Sequence, residues 1–164
     1  MTKKNSKRGL SFKSETSRLL FTLWLEAKKA NSSKDIHFSL DRRGFLKRDF
    51  ERLKKTGMIK TRENVLPNIL FSFTNKGILA AVKIEIDRVF PFDDKNKACL
   101  VVFDVPEKNK AVRKRLRGYL NQWGFLPIQK SVWISSLDLI DPVVSFMKLS
   151  GLNKWVRVFV AEER

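Results

Sequence analysis

Cationic side chains crowd one short stretch of this chain, residues 42–55, and phosphate binding is the chemistry that they indicate. The stretch holds two carboxylates, Asp49 and Glu51, whereas a solvated helix normally mixes the two signs more evenly. Its seven cations are Arg42, Arg43, Lys47, Arg48, Arg52, Lys54 and Lys55. Arg62, a little further along the chain, extends this set of candidate phosphate-binding residues.

The charge of the whole chain points in the same direction. Lys and Arg number 34 against 17 Asp and Glu, which gives a formal net charge of +17 and an isoelectric point near 10.3. Residues 1–97 hold 23 of these cations and 11 of the carboxylates, so most of the excess lies in the N-terminal half. This balance favours an anionic polymer or surface as the partner. A basic surface that serves only solubility would have the same composition.

Other kinds of chemistry have few candidate residues. The chain shows no nucleophile triad, zinc-binding cluster or phosphate-cradling glycine loop, and its one histidine, His37, has no cysteine or second histidine nearby. Cys99 is the single cysteine, so it cannot form an intramolecular disulfide. The lone thiol, the lack of an apolar signal-peptide core and the lack of a long apolar run predict a cytoplasmic protein that does not enter a membrane.

Apolar spacing and helix caps predict the elements of the N-terminal half. Residues 1–13 are expected to form a flexible basic arm, followed by a helix over residues 14–30 with Ser14 and Ser17 as candidate N-caps. A β-hairpin is predicted over residues 58–73, and Thr74 then caps another helix.

The cationic stretch is itself predicted to be a helix. Asp41 is its expected N-cap and Gly57 ends it, while Leu46, Phe50 and Leu53 recur at helical spacing and are expected to face a core. The cations then occupy the remaining faces. An amphipathic helix without any role in DNA binding stays open as the alternative.

Helix, basic helix, hairpin and helix is the order of a winged helix-turn-helix, which we predict for residues 14–87, with the second helix of the motif expected between Asn31 and Leu40. In that fold the N-terminal end of the recognition helix faces base edges in the major groove. We therefore expect Arg43 and Lys47 to contact bases. The residues expected to contact phosphates are Arg48, Lys54, Lys55 and Arg62, with Arg42 and Arg52 as further DNA-binding candidates.

The C-terminal half has a different pattern. An apolar, β-branched run at Ala98 to Phe103 predicts a buried strand, and Pro106 suits the first turn of the helix that follows. Gly124 ends this helix, and two strands, a helix and a last strand come after it. The order is βαββαβ, which is a ferredoxin-like arrangement. We thus predict an α+β chain in which residues 88–97 link the winged helix to a second domain over residues 98–164.

Three segments of the second domain, VVFDVPE, RKRLRGYLNQWGF and IQKSVWIS, resemble the Cas2-like domain of PaaX-type transcriptional regulators and are also similar to Cas2 proteins of CRISPR systems. The segment RRGFLKRDFERLKKTGMIKT, followed by FSFTNKGILA, resembles the recognition helix, wing and closing element of a winged helix. The resemblance implies a sequence-specific regulator of transcription, with repression as the expected effect. It also implies that a homodimer, formed through the ferredoxin-like domain, binds double-stranded DNA without a cofactor.

The resemblance to Cas2 also implies an enzyme as the alternative. Asp104 matches the position at which two Cas2 protomers are proposed to hold a divalent cation with one Asp from each. This alternative is a Mg²⁺-dependent phosphodiesterase or endonuclease with Asp104 as metal ligand and catalytic residue. A non-catalytic structural role on DNA in CRISPR adaptation is a third possibility. From the residues alone, Asp104 and Glu107 also have the spacing of a capping box. The sequence does not identify a small-molecule effector.

Replacing Arg43 and Lys47 with Ala together tests the predicted base contacts. We expect the double variant to lose its preference among duplex sequences while its circular dichroism stays unchanged, because arginine and lysine distinguish bases by hydrogen bonds in the major groove. Sequencing of the DNA retained from a random duplex library measures the preference. A variant that enriches the same duplexes as the wild type would rule out the assignment.

Overall fold

The computed structural model describes residues 12–40, 44–65 and 67–162, with the side chains of residues 63–65 left aside. The α+β class is confirmed, because helices alternate with two antiparallel sheets. The first half contains three helices and a three-stranded sheet of order β1-β3-β2. Its elements are α1 (Glu15–Ala30), β1 (Ile36–Ser39), α2 (Lys47–Lys55), β2 (Ile59–Val65), β3 (Asn68–Phe73) and α3 (Asn75–Ile86).

Two of these helices begin at the predicted caps. The Ser14 hydroxyl accepts a hydrogen bond from the Ser17 N–H at 3.1 Å, and the Thr74 hydroxyl accepts one from the Gly77 N–H at 3.1 Å. Each bond satisfies one of the N–H groups that a helix leaves free in its first turn.

The expected second helix of the winged helix-turn-helix is wrong for the segment between Asn31 and Leu40, since strand β1 lies there. Ile36 and Phe38 are buried while His37 between them is exposed, and Ile36 pairs with Phe71 of β3. This period of two fits a strand and cannot form the apolar stripe of a helix. The distant partner strand therefore decides the structure of the segment.

The start of the basic helix is also later than predicted. Gly44 has a φ of +63°, Leu46 is the extended N-cap residue, and α2 begins at Lys47 instead of after Asp41. Leu46 is 56 % exposed, so its expected place in the core is wrong. Phe45, the preceding residue, is buried instead of Leu46. The guanidinium of Arg18 covers its ring and lies 4.2 Å from the ring centroid.

Two other core positions of this helix, Phe50 and Leu53, are buried as predicted. Three residues of the stretch, Asp41, Arg42 and Arg43, lie outside the described residues.

The C-terminal half has the predicted βαββαβ order, and its sheet order β5-β6-β4-β7 confirms the ferredoxin-like arrangement. A short 3-10 turn at Glu107–Asn109 precedes the first of its two helices. Positive φ angles at Gly124 and Gly151 end the two helices where the sequence predicts. The elements are β4 (Lys97–Phe103), α4 (Lys110–Gln122), β5 (Leu126–Gln129), β6 (Val132–Ser135), α5 (Ile140–Leu149) and β7 (Val156–Glu162).

The segment between α3 and β4 is hydrogen-bonded to the C-terminal half. The Phe92 N–H donates to the Ser136 carbonyl at 3.2 Å, and the Asp138 N–H donates to the Phe90 carbonyl at 3.0 Å. Pro91 also forms an isolated antiparallel bridge with Leu137. The connection between the halves is therefore held along the end of β6.

Lys28 joins the two halves through an ion-pair network. Its Nζ lies 2.6 Å from Glu85 Oε1 on α3 and 2.5 Å from Asp141 Oδ2 on α5, while Trp24 Nε1 donates to the other oxygen of Glu85 at 2.6 Å. Burial, the largest single influence, lowers the pKa of Lys28, but the hydrogen bonds to Asp141 and Glu85 together with the negative charges of both carboxylates outweigh it and hold the pKa above its ordinary value. Lys28 therefore stabilises the fold fully at neutral pH, and this contribution is lost as the pH rises past the ordinary lysine range.

Glu85→Gln and Asp141→Asn test which carboxylate carries this network. The Glu85 side chain is 15 % exposed and also accepts from Trp24, whereas that of Asp141 is 76 % exposed. We expect Glu85→Gln to lower the free energy of unfolding by about 2 kcal/mol, because it disturbs a largely buried pair. Asp141→Asn is expected to cost about 0.5 kcal/mol, because water screens its charge. Urea denaturation measures both, and equal losses would contradict this assignment.

Candidate nucleic-acid interface

The solvent-facing side of α2 is a basic surface. It consists of Lys47, Arg48, Arg52 and Lys55, all of which are exposed, with Glu51 among them. These positions follow helical spacing, so they share one side of α2, while Phe50 and Leu53 are buried on the other. Glu51 is engaged by Lys54 at 3.2 Å. The four exposed cations have no ion-pair partner among the described residues, and we call this set the α2 basic face.

The first turn of α2 is fixed by a buried carboxylate. Asp49 is 5 % exposed and accepts a hydrogen bond at 2.9 Å from the hydroxyl of Thr16 in α1. Asp49, one of the two carboxylates of the cationic stretch, is therefore not part of its solvent-exposed charge. Its Thr16 partner is distant in sequence, so spacing along the helix held no signal for this contact.

The far end of α2 is held by the first turn of α3. The Thr74 hydroxyl donates to the Gly57 carbonyl at 2.6 Å, and the Thr74 N–H donates to the Met58 carbonyl at 3.1 Å. A Cβ on Gly77 would come within 1.9 Å of the Met58 carbonyl oxygen, so only glycine allows this approach. Both ends of α2 are therefore anchored, and its exposed cations stand on a rigid support.

The β2–β3 hairpin adds further cations. Arg62 is exposed, and its guanidinium lies 3.4 Å from Asp35, so this predicted phosphate ligand is already part of an exposed ion pair. Lys34 and Lys60 flank it in a shallow cleft beside β2 and β3. These two lysines were not predicted as candidates, because Lys34 lies before β1 and comes close to the hairpin only in the folded chain.

Five cations surround Asp104 at the end of β4. The cleft, which we call the Asp104 cleft, has a volume of about 770 Å³. Asp104 is exposed, and its carboxylate has no hydrogen-bond partner among the described residues. The cations lining the cleft are Arg113, Arg117, Lys130, Lys154 and Arg157.

Backbone carbonyls hold the three arginines of this cleft in place. Arg113 donates to the Val105 carbonyl at 2.9 Å, Arg117 to the Lys130 carbonyl at 3.0 Å, and Arg157 to the Asn153 carbonyl at 2.7 Å. Each guanidinium keeps further N–H donors, so the cleft is arranged to accept an anion.

Within a single protomer, the donor set at Asp104 does not complete a site for a divalent cation, and a Cas2-type site would need the Asp104 of a second copy as well. Mg²⁺ is held by carboxylates and other oxygens, yet Asp104 is the one carboxylate lining a cleft with five positive charges. No group of three or more His, Cys, Asp or Glu side chains that could hold a metal occurs in the described part of the chain. A capping box at Asp104 is wrong as well, because the 3-10 turn has Pro106 as its N-cap without a side-chain cap, and Glu107 pairs with Arg113 at 2.8 Å.

One face of the C-terminal sheet is apolar and open. Cys99 and Val101 point toward the helices and are buried, so Leu100 between them points to the opposite face. Pairing places Leu100 in a row across all four strands, and Leu126 and Phe159 at its two ends are 69 % and 49 % exposed. The row consists of Leu126, Ile134, Leu100 and Phe159.

Cys99 offers no chemistry to a site. It is fully buried, and this burial, with the nearby charge of Asp138, raises the pKa of its thiol to about 12. The thiol therefore stays protonated at neutral pH, whereas a reactive cysteine needs the thiolate.

Comparison with known proteins identifies the C-terminal half. Residues 95–164 match the family model of the central Cas2-like domain of the PaaX protein. No curated protein matches the chain significantly. No helix in the described ranges has the length and apolar character needed to cross a membrane. The matched residues include the whole ferredoxin-like sheet, and the chain thus carries, over residues 95–164, a domain that matches the central Cas2-like domain of the PaaX protein.

Proposed function

We propose that this protein is a sequence-specific regulator of transcription that binds double-stranded DNA as a homodimer, with repression as its effect. The observation that carries the proposal is the α2 basic face, on which four exposed cations have no carboxylate partner among the described residues. A folded protein gains little from leaving such charges uncompensated, whereas DNA phosphates would compensate them. The PaaX-type domain supports a regulator over other DNA-binding proteins.

In this proposal α2 enters the major groove. Lys47 at its N-terminal end faces base edges, and Arg48, Arg52 and Lys55 contact the backbone on either side. The anchored ends of α2 favour this role, because a rigid helix loses little conformational entropy on binding. The hairpin lysine Lys60, together with Arg62 once it leaves Asp35, reaches a neighbouring phosphate.

The open face of the C-terminal sheet supports the homodimer. A second copy is the occupant that we propose. Two copies that each carry a net charge of +17 would repel each other through their basic surfaces, whereas the row around Leu100 is apolar, so this face is where they can pair. Two copies related by a two-fold axis would cover each other's exposed Phe159 and Leu126. The paired protomers would then present two α2 basic faces to two half-sites.

A second candidate function is favoured by the Asp104 cleft. Its tethered arginines suit a phosphate, so the C-terminal half would bind DNA without cutting it, as a structural or adaptor protein does. Three exposed lysines would extend this surface. Lys110 and Lys114 lie on α4, and Lys108 lies just before it. Cleavage with Mg²⁺ is disfavoured by the five cations that line the cleft around Asp104. A regulator of the proposed kind is expected to need no cofactor.

The salt dependence of DNA binding separates the two surfaces. If each protomer neutralises about six phosphates, log affinity falls with log salt with a slope of roughly 5 per protomer. The triple variant Arg48→Gln, Arg52→Gln, Lys55→Gln is expected to reduce that slope by about 3, because each lost phosphate contact removes about 0.9. The matched control, Lys108→Gln, Lys110→Gln, Lys114→Gln, removes the same charge and is expected to leave the slope nearly unchanged. Fluorescence anisotropy with a labelled duplex measures both.

A larger loss of slope in the control variant would overturn the role of α2. It would favour the adaptor function instead. Equal small losses in both variants would mean that neither surface binds DNA.

Phe159→Glu tests the proposed dimer. Placing a carboxylate on the open sheet face is expected to shift the protein from dimer to monomer in sedimentation velocity, since the charge would be buried without a partner. Phe90→Glu is the control, because Phe90 is 71 % exposed and lies outside the sheet. A wild type that sediments as a monomer at high micromolar concentration, or equal behaviour of the two variants, would contradict the dimer.

A further inference from the structure

Three clefts adjoin each other and cross the junction between the halves of the chain. The first is the shallow cleft beside β2 and β3 that Lys34 and Lys60 flank, which we call the hairpin cleft. The second is a cavity of about 340 Å³ between α3, α4 and α5, which we call the junction cavity. Asn75 lines both of these, while Lys154 and Trp155 line both the junction cavity and the Asp104 cleft. The three clefts therefore form one continuous groove.

The charge of this groove is almost entirely positive. The described residues that line it include nine cations and a single carboxylate, that of Asp104. Arg62 is paired with Asp35 and Arg113 with Glu107, but both of these carboxylates are exposed, so water screens the two pairs. The positive charge extends from the hairpin through the junction to the end of β4. An anionic polymer would neutralise it along its whole length.

Aromatic rings lie among these cations in the middle of the groove. The ring of Trp155 has the Nζ of Lys154 4.2 Å from its centroid. Tyr119 and Phe146 line the junction cavity, and their ring centroids lie 5.6 Å apart in an edge-to-face arrangement. Arg115, which is exposed, lines the same cavity. Rings interspersed with cations along a groove are typical of sites for single-stranded nucleic acid, because bases stack on the rings while phosphates pair with the cations.

These rings favour a single strand over a duplex. In a duplex the base faces are stacked on one another, and a protein reaches only the base edges and the backbone. A single strand can turn its bases toward Tyr119 and Trp155. Lys154 is exposed, so its ammonium can leave the Trp155 ring for a phosphate when a base stacks there. The guanidinium groups of Arg117 and Arg157, held by backbone carbonyls, keep N–H donors for further phosphates.

We propose that this groove binds a single strand of nucleic acid, whose phosphates pair with the cations of the hairpin cleft and the Asp104 cleft and whose bases stack on Trp155 and Tyr119. The groove is separate from the α2 basic face, since no cation of that face lines it. The strand site does not depend on the proposed regulation of transcription, and either proposal can fail without the other.

Fluorescence anisotropy on the full chain tests the site. The probes are labelled oligothymidylate and oligouridylate of about 15 nucleotides, with a duplex of equal length for comparison. We expect the triple variant Arg48→Gln, Arg52→Gln, Lys55→Gln to keep the single-strand affinity of the wild type while its affinity for the duplex falls. Binding of either strand supports the site, and the tighter one identifies the sugar that the groove prefers. In this variant, loss of single-strand binding, or a duplex that binds as tightly as the strands, would overturn the site.

Substitutions at the two ends of the groove test its continuity. Lys34→Gln in the hairpin cleft and Lys130→Gln in the Asp104 cleft are each expected to weaken strand binding by about threefold, and by about tenfold together, because each removes one phosphate contact. The matched control is Lys95→Gln with Lys148→Gln, which removes the same charge from exposed positions outside the groove. An effect of only one end, or equal effects of the groove pair and the control pair, would contradict a continuous groove.

An abasic strand with the same number of phosphates tests the stacking. We expect it to bind the wild type about tenfold more weakly than oligothymidylate does. Trp155→Leu is expected to lower the affinity for oligothymidylate by a similar factor and to leave that for the abasic strand unchanged. Trp155 is half-buried, so circular dichroism must show that this variant folds. If it does not, the two strands compared on the wild type still decide, and equal affinities would overturn the proposal.

Discussion

The ion-pair network of Lys28 is the interaction on which the arrangement of this chain depends. It ties α1 and α3 of the first half to α5 of the second, with the pair to Glu85 largely removed from water. Buried apolar residues of α3 and α5 belong to one cluster, so the halves share one continuous core. Because α3 also holds the end of α2, the position of the basic helix relative to the Cas2-like domain follows from this junction.

The residues of this candidate site accordingly have one of two roles, since some carry positive charge and others hold α2 in position. Lys47, Arg48, Arg52 and Lys55 carry the charge of the α2 basic face, while Asp49, Thr74 and Gly77 hold the helix beneath them. Substituting the positioning residues would lower the stability of the fold, whereas substituting the exposed cations would not. This division is what allows charge-removing variants to separate binding from folding.

The sequence predicted the second half well because its signals are local. Strand alternation, helical spacing and the breaks at Gly124 and Gly151 each depend on neighbouring residues. The first half was predicted less well, since β1 depends on its pairing with β3 and the buried Asp49 depends on its hydrogen bond from Thr16. The Asp104 cleft could not be predicted from the sequence either, because its cations come from three separate segments, which are α4, the turn before β6 and the region where β7 begins. Contacts between distant segments leave no periodic trace in a single sequence.

Selection from a random duplex library by the intact protein, with Mg²⁺ or EDTA present, tests the central claim most directly. The account predicts that the retained pool is enriched in a two-fold symmetric motif and that its DNA stays at full length in both conditions. Shortened DNA with Mg²⁺ and full-length DNA with EDTA, without any motif, would contradict it. That result would establish a metal-dependent nuclease and assign Asp104 the catalytic role that its surrounding cations disfavour.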